Sequence, residues 1–88
     1  MAALRHPLRR TILEELAGGR TVGSPRELAD DLGAPLSNVS YHFRVLAECD
    51  AIDLVRTRQV RGSVQHFYRP AKKFMEDPTV TAVLGLPT

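Results

Sequence analysis

One cysteine, Cys49, stands in 88 residues, so no disulfide can close within the chain, and the thiol fits a reducing cytosol. No apolar run approaches the roughly 20 residues that a membrane span needs. The arginines near the N-terminus are followed by no apolar stretch and no cleavage site, so a secretory signal is not expected and the expected location is cytoplasmic. Repeats and low-complexity tracts are missing. So are a nucleophile paired with a base, a phosphate-cradling glycine loop and a metal-ligand cluster. Neither an enzyme nor a cofactor-binding protein is expected.

What is present describes one globular domain. Hydrophobic residues make up 43% and charged residues 25%, which sets the chain apart from disordered sequences. A domain this short buries only about 60% of its unfolded surface, so dimerisation would be a natural supplement to its stability. The net charge of +2 says less than its distribution. Ten of the twelve basic residues are arginine. Arg56, Arg58, Arg61 and Arg69 fall between Leu54 and Pro70 without one carboxylate, and Lys72 and Lys73 extend the run. Guanidinium forks suit phosphates and guanine edges.

The spacing predicts a first helix from Pro7 to Ala17, with Leu8, Ile12, Leu13 and Leu16 inward, ended by Gly18 and Gly19. Arg10 and Glu14 stand one helical step apart on its outer face. Ser24, Pro25 and Glu27 form a complete capping box that starts a second helix, two turns long, stopped by Gly33. After Ala34 and Pro35 a third helix runs from Leu36 to about Cys49, with Val39, Phe43 and Leu46 inward. Asp50 follows where a left-handed residue is expected. Two helices joined by a tight glycine-containing turn form a helix-turn-helix unit. From Ile52 the pattern turns to strand, with Arg61-Gly62-Ser63 as the turn and Val64–Tyr68 returning before Pro70. In the tail, Ala71–Met75 reads as a helical turn and Pro78–Leu84 as another short helix.

The stretch from Arg26 to Leu46, with Leu28, Ala29, Leu32, Ser37, Val39, Ser40, His42 and Leu46 in order, resembles the ArsR-like winged-helix regulators. Their pattern is roughly L-A-x-x-L-x-x-x-x-S-x-V-S-x-H-L-x-x-L. Phe43 replaces the usual leucine and Asp50 the usual glycine. The resemblance spans about Leu4 to Pro70. It implies a mostly α fold with a small β-hairpin (α+β): a winged helix-turn-helix with a three-helix core, a two-stranded wing and a short C-terminal helical tail. Residues 1–70 would form the DNA-binding domain, and residues 71–88 a tail that contributes to dimerisation. It also implies a homodimer that binds double-stranded operator DNA, usually as a repressor. Many relatives sense metal, but the usual thiolate pair is missing and His6, His42 and His66 lie on three elements. Neither a metal nor a small-molecule effector is expected.

Ser37, Asn38, Ser40, Tyr41 and Arg44 fall on the outer face of the third helix. Plain solvation is the competing reading, but exposed helix faces normally favour Glu, Lys and Ala. A face with no carboxylate before Glu48 suits an anionic duplex, and Asn and Arg can bridge adenine and guanine. Arg56, Arg58 and Arg61 on the hairpin suit phosphates or a narrow minor groove better than mere solubility. Ser24 and the free N–H groups of the second helix start offer a phosphate site, and Arg20 and Arg26, near that start, can touch the DNA backbone too. His42 reads as a packed histidine bonded to backbone, and His66 as structural or a phosphate neighbour. Cys49, between Glu48 and Asp50, reads as inert. Leu4, Leu8, Ile12, Val80, Val83 and Leu84 fit a dimer interface and a single monomer core equally. A protein-interaction module within a larger assembly is the alternative function.

Overall fold

The first helix, α1 (Pro7–Glu15), starts where a proline can open it and an imidazole can cap it. Nδ1 of His6 accepts the Leu8 N–H at 3.1 Å, and Pro7 lacks the N–H that would otherwise need a partner. A computed structural model describes residues 2–85. Within them Ile12, Leu13 and Leu16 are fully buried, as the spacing predicts. The regular α-helical run ends at Glu15, two residues short of the expected Ala17, because the chain kinks within the Leu16–Arg20 turn that follows. Gly18 bends the chain there, with φ −78° and ψ −119°.

A 3-10 turn, Ala2–Leu4, precedes α1 and tucks Ala3 and Leu4 into the core. Two arginines of α1 hold it. Arg9 donates to the Ala2 carbonyl at 2.7 Å and Arg10 to the Leu4 carbonyl at 2.6 Å. Arg10 therefore reaches back along the chain rather than down its own helix to Glu14.

The helix α2 (Pro25–Leu32) opens on the capping box. The Ser24 hydroxyl accepts the Glu27 N–H at 3.2 Å, and Glu27 Oε1 accepts the Ser24 N–H at 3.1 Å. Gly33, at φ 63°, closes it. The helix α3 (Leu36–Glu48) ends through Asp50, which takes the left-handed φ of 58°. Its N–H donates to the Ala47 carbonyl at 3.1 Å, and the Ala51 N–H donates to that of Leu46 at 2.9 Å. Those two bonds make a Schellman closure, which normally draws glycine.

Two antiparallel strands follow, β1 (Ile52–Val60) and β2 (Ser63–Pro70), joined by the two-residue turn Arg61-Gly62. Both turn residues have positive φ, 47° and 83°, which suits the right-handed twist of a hairpin. The turn is one residue tighter than expected. The outer edge of β2 takes a further pairing: Gly23 and Tyr68 exchange backbone bonds of 2.9 and 2.8 Å. A Cβ on Gly23 would lie 2.8 Å from Arg20 Cδ and 2.9 Å from Leu28 Cδ1. Only glycine fits so close to the core.

The chain returns through α4 (Lys72–Met75) and α5 (Pro78–Leu84), the latter capped by Asp77 accepting the Thr79 N–H at 2.9 Å. Val80 and Leu84 join Leu4, Ile12, Leu28 and Val39 in one buried cluster. Four of the six residues left open between core and interface therefore lie inside this chain's own core. Leu8 is half-buried, and Val83 is exposed. The fold is α+β: helices around one core with a two-stranded wing, a winged helix-turn-helix. No helix among the described residues is long and apolar enough to cross a membrane.

Candidate nucleic-acid interface

The inward stripe of α3 fixes what its other face can offer. Val39, Phe43 and Leu46 are buried, which leaves Ser37, Asn38, Tyr41 and Arg44 exposed and Ser40 half-exposed. Phe43 does more than fill space. Its ring lies 5.5 Å from that of Tyr68 on β2, so this aromatic ties α3 to the wing.

His42 stands on the same helix but points the other way. It is nearly buried, stacked on His6 with ring centroids 4.3 Å apart, and edge-on to Tyr41 at 5.2 Å. Its partner is a side chain, not the expected backbone group: Arg9 Nε–H donates to Nδ1 at 3.0 Å. That bond requires a lone pair on Nδ1, so the ring is neutral with its proton on Nε2. Burial, reinforced by the neighbouring His6 and the Arg9 charge, holds its pKa below the ordinary imidazole value.

The start of α2 differs from the sequence expectation. Ser24 is fully buried, and its hydroxyl is occupied by the Glu27 N–H and by the side chain of Gln65, 3.5 Å away. It acts as a cap and as a tie to the wing, and cannot itself touch a duplex. Arg20 is engaged too. Its guanidinium pairs with Glu27 at 3.6 Å and with Asp31, which neutralises it. Arg26 remains exposed, and with Val60, Arg61, Ser63 and Gln65 it lines a hollow of about 490 Å³. Two guanidinium groups from distant parts of the chain thus border one cavity, and no carboxylate lines it.

The side of the hairpin that carries each arginine is set by a β-bulge. Leu54 pairs with Tyr68 and Arg56 with Phe67, so Val55 is an extra residue between them. Paired residues share a face. Arg56 and Arg58 therefore share one with Phe67 and Gln65, and Thr57 and Gln59 share the other with His66 and Val64. Arg56 lies over the Phe67 ring, 4.8 Å from its centroid. This cation–π contact gives it a packing role beside any outward one. Arg58 and Arg61 are exposed.

His66 had no assigned role in the sequence beyond structure or proximity to phosphate. It borders two adjoining hollows between wing and helices, one shared with Ser40, Phe43 and Arg44, the other with Pro25, Arg26 and Ser40. No periodic signal marks that position. The pairing of β2 with Gly23 puts it there.

A helix-turn-helix domain profile matches residues 4–55, more than half of the chain. The chain belongs to the helix-turn-helix domain family. No curated protein matches it. The match takes in α1, α2 and α3 and stops at the bulge, so the arginine-bearing part of the wing lies outside it. As a helix-turn-helix domain the chain is a DNA-binding regulator, with α2 and α3 as the paired helices. Among the described residues, no group of three histidine, cysteine or acidic side chains is placed to hold a metal ion.

Proposed function

We propose that this helix-turn-helix domain is a sequence-specific regulator of the ArsR-like kind, a cytoplasmic repressor that binds double-stranded DNA as a homodimer. The helix α3 enters the major groove and presents Ser37, Asn38, Ser40, Tyr41 and Arg44 to base edges and phosphates. Arg58 and Arg61 follow the flanking backbone or minor groove. Arg26 adds a phosphate contact beside the wing turn. Arg56 contributes its charge from above Phe67, and Ser24 contributes by holding the helix start.

One observation carries the reading. The exposed face of α3 meets no acidic residue until Glu48, Arg26 shares a hollow with Leu36 and Ser40 of that helix, and Arg26 and Arg61 border another at the wing turn. Carboxylates pair only with Arg20 among the described residues, so these arginines keep their charge for a polyanion. Selection of bound duplexes from a random pool tests the proposal. The expected product is a near-palindrome with half-sites about 34 Å apart, bound with an affinity that falls steeply with salt. Binding that is undetectable at low salt, or insensitive to salt, overturns it and leaves the interaction module as the better reading. Sedimentation with and without the selected duplex checks the dimer.

A further inference from the structure

On the side of the wing that leads away from the hairpin turn, the chain leaves a hollow of about 530 Å³. Its walls come from three stretches of chain: Leu16, Ala17 and Thr21 around the kink that follows α1, Arg69 and Pro70 at the end of β2, and Met75 and Thr81 from the tail. Lys72 and Glu76 complete the lining. A volume of this size suits a small organic molecule, and Leu16, Ala17, Pro70 and Met75 give it apolar walls beside the charged Arg69, Lys72 and Glu76.

One further feature converges on the hollow. Thr21, which lines the cavity, holds φ 61° and ψ −37°, a conformation that a β-branched residue rarely adopts. Such strain persists where surrounding structure imposes it, and ligand clamps are a frequent setting.

The charges select the ligand. Arg69 and Lys72 are exposed cations at the exit of β2. Asp53 stands opposite Arg69 in the ladder, yet no ion pair joins them among the described residues. Glu76 is the one carboxylate in the lining, and it disfavours a second negative charge. We propose that this hollow binds a monoanionic amphipathic organic acid, its carboxylate held by Arg69 and Lys72 and its apolar body against Leu16, Ala17 and Met75. Charge-assisted hydrogen bonds to a carboxylate are the strong kind. The site is distinct from the surface proposed to meet DNA, and its occupancy does not depend on that reading.

Calorimetric titration of the full chain with decanoate, with decanol as the neutral control, tests the proposal. The expected result is saturable one-to-one binding of decanoate, with decanol at least about tenfold weaker. The double variant R69Q/K72Q should weaken decanoate about tenfold, and Ala17→Leu, which fills the hollow, should abolish the heat. Circular dichroism establishes that each variant is folded, and the exposed charge variant keeps the test decisive if Ala17→Leu does not fold. The proposal is overturned if decanoate gives no saturable heat, if decanol binds equally well, or if the variants bind like the parent. A dimer that Ala17→Leu splits, with no decanoate heat, would also overturn it and assign the hollow to a second copy of the chain.

Discussion

Nδ1 of His42 accepts a 3.0 Å hydrogen bond from Nε of Arg9, so α1 and α3 are joined through an imidazole that must be uncharged. Arg9 also holds the Ala2 carbonyl, and His6 stacks on the same ring while its own Nδ1 caps α1. The N-terminal turn, the first helix and the third helix meet at one histidine.

Stability should therefore depend on acid. The folded state holds the His42 pKa below its ordinary value of 6.5, so the unfolded chain takes up the proton first. The contribution is complete above pH 6.5 and is lost as pH falls through the lowered folded value. Urea midpoints measured between pH 8 and pH 5 should fall with acidification, and the fall should be smaller in His42→Gln, whose amide oxygen can still accept from Arg9. Superimposable pH profiles would contradict this.

Ser24→Ala removes one half of the capping box and the tie to Gln65. Loss of a serine cap costs about 1 kcal/mol, up to about 2, and urea denaturation should read a loss of that size. Because Ser24 is buried, the slope of log affinity against log salt should be unchanged for the folded variant. A slope smaller by about 0.9 would instead mean a direct phosphate contact.

Arg44 and Arg58 should fail differently. Arg44→Ala should cost about 1–3 kcal/mol on the selected duplex and relax the preference at one base position. Arg58→Ala should weaken all duplexes alike and reduce the salt slope by about 0.9. Competition binding against point-substituted duplexes separates the two, and equal losses of specificity would refute the division of labour.

Asp50→Gly should stabilise the protein. The left-handed conformation costs a residue with a Cβ about 1–2 kcal/mol, somewhat less for Asp, so a rise in stability of about 0.5–1 kcal/mol is expected. Thermal or urea unfolding reads it directly. A loss would show that the Asp50 side chain contributes more than its backbone conformation costs.

Features set by local chemistry were legible in the sequence. The Ser24–Glu27 box, the stop at Gly33, the left-handed Asp50 and the turn at Gly62 each depend on neighbours within a few residues. The inward stripe of α3 was legible because its period repeats over 13 residues. Interactions between distant segments were not. Nothing in the sequence places His6 on His42, 36 positions away in the chain, or sends Arg20 to Asp31 instead of to the outside. Ala2–Leu4 is too short to show periodicity. The Gly23–Tyr68 pairing involves one residue on its short side, and the bulge at Val55 leaves the composition of the strand unaltered. Ser24 was legible as a cap, but its tie to Gln65, 41 positions on, was not.

A ribbon with a repeat of two distinguishes its faces by odd and even, and Val55 is the residue that goes uncounted. Were it paired in sequence opposite Phe67, Arg56 and Arg58 would fall across from His66 and Val64, and Thr57 across from Gln65. The hairpin would keep its composition, its net charge and nearly its length. It would turn its cations to the face that Thr57 and Gln59 now occupy. The polarity of the wing is thus a matter of arithmetic, held by one valine outside the ladder.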